Sequence, residues 1–152
     1  MARFVYRMQS VLNIKQQTEN QTKMEFAVAQ ADLNKELDLL QEYIDRKERY
    51  LQEAEELRQK ESLKLQDILD NQYAVAQMDV MIKQQNSKVK QQEQVVERVR
   101  VRLTRNIQER KMQETLRDRA FAEFMEEQKQ EEAKENDQRT SFTYGQRQKE
   151  DN

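Results

Sequence analysis

The 152-residue chain contains no His and no Cys, which excludes Ser-His-Asp triads, thiol nucleophiles and the usual zinc sites. Its single Gly excludes Gly-rich phosphate-binding loops and dinucleotide-binding fingerprints. We therefore expect neither an enzyme nor a protein that holds a metal or a cofactor. The net charge is only −2, so the whole chain is not a polyanion binder.

Apolar residues recur every three or four positions in two segments of the chain, which is the spacing of coiled-coil helices. Hydrophobic residues make up 36% of the sequence, enough for a narrow seam between two helices but not for the thick core of a compact domain. The first segment has Phe4, Met8, Val11, Phe26, Ala29, Leu33, Leu37, Leu40 and Ile44. The second has Met78, Ile82, Val89, Val96, Val99, Leu103 and Ile107. The polar residues that interrupt these stripes are Lys15, Thr18, Thr22, Gln85 and Gln92.

These two segments predict an all-α fold, a long two-helix antiparallel coiled-coil hairpin that forms a single domain over residues 1–140. The first helix should cover about residues 3–60 and the second about residues 66–138. We place the turn near residues 59–66, where the apolar pattern weakens and charges cluster, with Asp70-Asn71 as the alternative position.

The last residues are polar and include the only Gly, Gly145. Residues 139–152 are therefore predicted to be a flexible or disordered tail. The second helix is also longer than the first, so we expect it to extend a few turns past the N-terminus.

Charge is distributed unevenly along the two predicted helices. Residues 32–70 hold 12 acidic and 7 basic side chains, a net of −5, whereas residues 83–111 hold 9 basic and 3 acidic ones, a net of +6. Residues 123–137 return to a net of −5, with 7 acidic and 2 basic side chains. Antiparallel folding places the acidic first arm beside the basic second arm, whereas two parallel copies would align like charges. The pattern favours a monomeric hairpin over a parallel homodimer.

A run of arginines, Arg98, Arg100, Arg102 and Arg105, is the sharpest local feature. Residues two apart fan around a helix axis, so the run does not form one groove-facing stripe. No aromatic residues interleave to stack on bases. Solvation or pairing between the arms is the favoured interpretation, ahead of a contact with a protein partner, and nucleic acid or acidic lipid comes last.

Two apolar clusters are candidate sites for binding a partner. Met78, Met81 and Ile82, near Tyr73, form either core packing close to the turn or an exposed patch, and Met suits adaptable surfaces. Phe121 and Phe124 lie three apart on one helix face. They either dock a partner or, if the overhang is short, pack against Phe4, Tyr6 and Met8.

The opening residues Phe4-Val5-Tyr6-Arg7-Met8-Gln9-Ser10-Val11-Leu12-Asn13-Ile14-Lys15 follow the pattern aromatic-x-aromatic-Arg-x-Gln-x-x-Leu. They are followed by the stepped positions Ala27, Ala29, Ala31, Leu37 and Leu40, by the segment Met78-Asp79-Val80-Met81-Ile82-Lys83-Gln84-Gln85, and by Leu116-Arg117, Phe121, Phe124, Glu131, Glu135 and Asp137. In this order, over nearly its whole length, the chain resembles the FliJ family of small coiled-coil proteins of the flagellar type III export apparatus.

The resemblance implies a non-enzymatic stalk, shaped like the central stalk of rotary ATPases, that links the hexameric export ATPase ring to the membrane export gate. It also implies a role in handling export chaperones, and a position on the cytoplasmic face of the cell membrane at the flagellar base. The ATPase-facing residues implied are Phe4, Arg7, Leu12, Phe121 and Phe124. The gate-facing residues implied are Tyr73, Met78, Met81 and Ile82.

Three other functions remain open at this point. The chain could be the equivalent stalk of a virulence-type secretion system, since only the opening pattern speaks for flagella. It could be a self-associating coiled-coil spacer, or a nucleic-acid or membrane-surface binder that uses residues 83–111. A membrane-spanning protein is not expected, because no apolar run approaches the roughly 20 residues needed to cross a bilayer. The first residues also lack a signal-peptide core.

Overall fold

A computed structural model describes residues 2–151 of the chain. It contains two helices, α1 over Gln9–Gln59 and α2 over Leu65–Glu150, joined by residues 60–64. The connection contains no Gly or Pro, and no described residue has a positive φ, so the chain reverses without left-handed backbone. The prediction of an all-α chain built from two long helices is confirmed.

The first helix begins later than predicted, at Gln9 instead of about residue 3. Residues 2–8 are not helical, and the Gln9 amide donates a hydrogen bond to the Tyr6 carbonyl at 3.2 Å in a turn just before the helix. The ring of Phe4 packs against the rings of Phe121 and Phe124 on α2. Partial burial of the Phe4 ring stabilises the non-helical conformation of residues 2–8 relative to one or two further turns of helix.

The prediction of a flexible or disordered tail over residues 139–152 is wrong, because α2 continues to Glu150. The side chains of residues 129–144 are all exposed, so packing does not hold this part of the helix. Its Glu, Gln, Lys and Arg residues instead have high intrinsic helix propensity, and Gly145 alone costs only about 1 kcal/mol. The Thr140 hydroxyl donates to the Asn136 carbonyl at 2.8 Å within the helix.

The chain divides into two compact units, each built from a part of both helices. We call Met1–Glu19 with Asn106–Asn152 the terminal unit and Asn20–Arg105 the hairpin unit. The hairpin unit contains the connection between the helices. The assignment of residues 1–140 to a single hairpin domain stays a prediction.

In the hairpin unit, α1 and α2 pack antiparallel along a thin seam whose buried apolar residues are Ala29, Leu33, Met78 and Val89. Polar residues share this seam, and three of their side-chain amides donate to main-chain carbonyls of α1. Asn71 donates to Tyr50 at 2.8 Å, Gln85 to Glu36 at 2.9 Å and Gln92 to Ala29 at 3.1 Å. We call these three bonds the amide ladder. They satisfy the buried amides of Asn71 and Gln85 and the half-buried amide of Gln92, which would otherwise be costly to place in an apolar seam.

In the terminal unit, Leu12 is fully buried and Glu19 and Asn106 are nearly so. Glu19 binds Arg110 of α2, and Arg110 also binds Glu114 one turn further along, at 2.9 Å. Lys15 binds Glu109 at 2.9 Å. A charged cluster therefore joins the start of α1 to α2 where an apolar seam would otherwise run.

Candidate protein-binding surfaces

The terminal unit carries a groove of about 470 Å³ between the non-helical N-terminal segment and α2. We call this the terminal groove. It is lined by residues 4–8 and by Leu116, Ala120, Glu123, Phe124 and Glu127. Its floor is mainly apolar, and the two carboxylates from α2 give it an acidic edge. Such a groove suits an apolar side chain from a partner that also presents a positive charge.

Three phenylalanine rings meet beside the groove. The Phe4 ring lies edge-on to Phe121, with centroids 5.2 Å apart, and tilted against Phe124 at 5.5 Å. Of the two possibilities left open for Phe121 and Phe124, packing against Phe4 is therefore present. Phe121 nevertheless keeps 47% of its surface exposed, so the cluster retains an accessible ring.

The remaining residues assigned to the ATPase-facing set lie in different environments. Arg7 is exposed and lines the terminal groove. Leu12 is fully buried, so it is a packing residue of the terminal unit and is not accessible to a partner protein. The neighbouring Tyr6 hydroxyl donates to Gln113 at 3.2 Å, which ties the N-terminal segment to α2.

The cluster at Glu19 and Arg110 was not identified from the sequence as a feature of the site. The Glu19 carboxylate binds Arg110, and this hydrogen bond is the main reason why the pKa of Arg110 is raised above its ordinary value. The sequence feature that could have indicated this cluster was the interruption of the first apolar stripe by polar residues, which include Lys15. A polar residue at a seam position has to find a partner, and here the partners are charged residues of α2.

The hairpin unit contains the second predicted set, which we call the methionine patch: Tyr73, Met78, Met81 and Ile82. Met78 is buried in the seam, and Met81 and Ile82 are half-buried. Tyr73 is 67% exposed, and its hydroxyl accepts a hydrogen bond from Gln77 at 3.0 Å. Core packing therefore accounts for Met78, while Tyr73 offers an aromatic ring to the surroundings.

The arginine run is partly neutralised. Arg102 binds Glu25 of α1, and Arg100 binds Glu97 one turn away, with its Nε 2.9 Å from the carboxylate. This hydrogen bond is the largest reason why the pKa of Glu97 lies below its ordinary value, and it raises the pKa of Arg100. Pairing between the arms, the favoured interpretation, is thus present at Arg102.

Residues 2–151 contain no group of three or more acidic side chains arranged to hold a metal ion. Neither described helix has a stretch long and apolar enough to cross a membrane.

Comparison with known proteins decides the family. Residues 4–149 match the family described as the flagellar FliJ protein. The chain belongs to the flagellar FliJ family. No curated protein and no solved structure matches it. FliJ proteins are non-enzymatic components of the flagellar export apparatus, so this chain is a helical, coiled-coil flagellar export protein. The resemblance stated from the opening pattern is confirmed, and so is the expectation that the chain is not an enzyme.

Proposed function

We propose that the chain is a stalk of the flagellar type III export apparatus that links the hexameric export ATPase ring to the membrane export gate. It would act as a monomer, peripheral on the cytoplasmic face of the membrane at the flagellar base, and support flagellum assembly and motility. Contact with export chaperones is part of the proposal. The observation that carries it is the presence of two separate surfaces with exposed aromatic rings, one in each structural unit, within a chain of the FliJ family.

The ATPase ring is assigned to the terminal groove together with the Phe121 ring that lies beside it. Phe4, Phe121 and Phe124 supply apolar area, and Arg7 supplies an exposed charge at the rim. Aromatic and arginine side chains are the residues that most often dominate binding energy at protein interfaces. Leu12 lies in the first turn of α1 and contributes as a buried residue that packs this turn, without touching the partner.

The export gate is assigned to the methionine patch. Tyr73 is the exposed anchor, and Met81 and Ile82 are half-buried beside the seam. Met78 is buried in the seam one helical turn before them and contributes to the packing of α2. A ring that lies exposed before binding gains apolar burial when a partner covers it, at little cost in side-chain entropy.

The experiment uses two matched pairs of variants of the full chain. Phe121→Ala is compared with Phe142→Ala, since Phe142 is also exposed on α2 but is not part of the ring cluster that Phe4 forms with Phe121 and Phe124 beside the terminal groove. Tyr73→Ala is compared with Tyr144→Ala, since both tyrosines are about equally exposed, at 67% and 66%. Binding to the purified export ATPase and to the cytoplasmic part of the export gate is measured by calorimetry, and each variant is tested for motility.

We expect Phe121→Ala to weaken binding to the ATPase about five- to thirtyfold, and Tyr73→Ala to weaken binding to the gate similarly, in line with losses of about 1–2 kcal/mol at anchor residues. Each control should bind both partners normally. If Phe121→Ala and Phe142→Ala bound the ATPase equally well, the assignment of the terminal groove would be wrong. If neither purified partner bound the parent chain and a deletion strain built normal filaments, the stalk function itself would be overturned.

A further inference from the structure

A set of cations on α2 in the hairpin unit faces away from α1 and is not used in the proposal above. We call Lys83, Lys90, Arg98 and Arg105 the basic face. All four side chains are exposed. At 100° per residue their directions fall within about 80° of one another around the helix axis. The seam residues of the same stretch, such as Val89, are buried on the other side.

These four cations have no ion-pair partner among residues 2–151. Residues 83–105 hold seven basic and two acidic side chains, a net of +5. The cations that are neutralised, Arg100 and Arg102, are bound by Glu97 and Glu25. The basic face is therefore an uncompensated positive strip about 33 Å long at 1.5 Å per residue.

We propose that the basic face binds an acidic α-helix of another protein. Lys83 and Lys90 are seven residues apart, as are Arg98 and Arg105, so each pair is separated by two helical turns. A facing helix repeats its own side chains at this interval, which allows one carboxylate to meet each cation within a pair. Arg98 and Arg105 can each form two parallel hydrogen bonds with a carboxylate.

The composition of the face distinguishes a protein helix from the other polyanions. Residues 83–105 contain no Phe, Tyr or Trp, so the face has no rings on which bases could stack. It likewise lacks the aromatic or Leu side chains with which surface helices insert into a bilayer. Between the cations lie Ser87, Gln91 and Gln94, which can hydrogen bond to polar side chains of a facing helix.

The test measures binding of labelled synthetic helices to the full chain by fluorescence anisotropy. The probe is an Ala-rich peptide of about four heptads with two Glu residues per heptad on one helix face. A second peptide has the same composition with its Glu residues scattered around the helix. Arg98→Gln combined with Arg105→Gln is compared with Arg117→Gln combined with Arg119→Gln, which removes the same charge from exposed arginines outside the basic face. Circular dichroism checks that all variants keep their helices.

We expect the chain to bind the peptide with Glu on one face more tightly than the scattered one. The Arg98/Arg105 double variant should lose about tenfold in affinity, as expected for two exposed ion pairs of somewhat under 1 kcal/mol each. The Arg117/Arg119 variant should bind normally. Equal affinity for the two peptides, or equal loss in the two double variants, would overturn the proposal.

Three further measurements address other occupants of the same face. Tighter binding to a DNA duplex or to phosphatidylserine vesicles than to the acidic helix would show that the ligand is not a protein. Dimerisation of the parent chain at low salt that is abolished by the Arg98/Arg105 variant would identify a second copy, whose residues 123–137 carry a net charge of −5. Either result would overturn the assignment to another protein. The proposal is independent of the ATPase and gate assignments, because it uses none of their residues.

Discussion

The guanidinium of Arg110 binds the carboxylate of Glu19 in the terminal unit, and Glu19 keeps only 3% of its surface exposed. Burial of a carboxylate is tolerable only while a cation and hydrogen bonds compensate for the lost hydration. Arg110 supplies that cation from α2. The pair therefore joins the start of α1 to a defined position on the second helix.

Loss of Arg110 should destabilise the terminal unit more than loss of an exposed arginine. Arg110→Met is expected to lower the melting temperature by several degrees, because the buried Glu19 carboxylate loses the Arg110 cation that compensates for part of its lost hydration. Combining it with Glu19→Leu should recover most of the loss, since an apolar pair removes both charges. Thermal unfolding followed by circular dichroism measures this, with Arg117→Met as the control. A double variant that melts below Arg110→Met would contradict the explanation.

The packing of α1's first turns should depend on Leu12. Leu12 is 0% exposed, so Leu12→Ala creates a cavity and is expected to reduce the free energy of unfolding by about 2–4 kcal/mol. Ile14 is 58% exposed, and Ile14→Ala should change it by less than about 0.5 kcal/mol. Urea unfolding measures both. Similar effects of the two substitutions would mean that Leu12 is not a core residue.

The end of α2 should be strengthened by removing its only glycine. Gly145 is helical, and a Cβ added there would meet nothing within 4 Å. Gly145→Ala is therefore expected to stabilise this region by about 0.5–1 kcal/mol through lower backbone entropy of the unfolded chain. Amide hydrogen exchange of residues 139–150 should slow, whereas Gly145→Pro should speed it up. Fast exchange in both the parent and the Ala variant would instead support the tail predicted from the sequence.

The Glu97–Arg100 contact predicts the direction of a titration. The hydrogen bond from Arg100 lowers the pKa of Glu97, so the folded state holds this proton less readily than the unfolded state. The contribution of this contact to the free energy of unfolding is then fully present at pH values above the ordinary Glu pKa, and it is lost as the pH falls through the lowered pKa. Carboxyl carbon NMR should show a low titration midpoint, and Arg100→Gln should raise it. Arg98→Gln is the control, and an equal rise there would point to general charge instead of the hydrogen bond.

The periodicity of the sequence was sufficient to predict two helices, because seam residues such as Leu33 and Val89 follow the coiled-coil spacing and are buried. The connection at residues 60–64 lies within the range chosen for the turn, even though no Gly or Pro marked it. The sequence indicated this connection only by a break in the apolar pattern, which is a weak indication but one confined to a few residues.

The errors of prediction have different physical causes. The apolar spacing predicts a helix that already includes Phe4, whereas Phe4 lies before α1 and contacts Phe121, which is more than a hundred residues away in sequence. The last residues were predicted to be disordered because they are polar, yet intrinsic propensity is enough to keep them helical. The partners of Gln85 and Glu19 could not be predicted, since periodicity locates a seam position but not the atom that faces it.

The amide ladder has a consequence for how the two arms find their alignment. Asn71 and Gln85 are 14 residues apart and their acceptors Tyr50 and Glu36 are also 14 apart, while Gln92 and Ala29 continue the series after seven. Every residue has a main-chain carbonyl, so sliding one arm by a whole heptad would offer these amides equivalent acceptors. The ladder thus fixes which faces of the two helices meet, but it leaves open shifts of the pairing register by whole heptads. Contacts between particular side chains, such as Lys47 with Asp79 at 2.6 Å, must select the offset. Inserting one heptad into each arm at matching places should therefore be tolerated far better than inserting it into one.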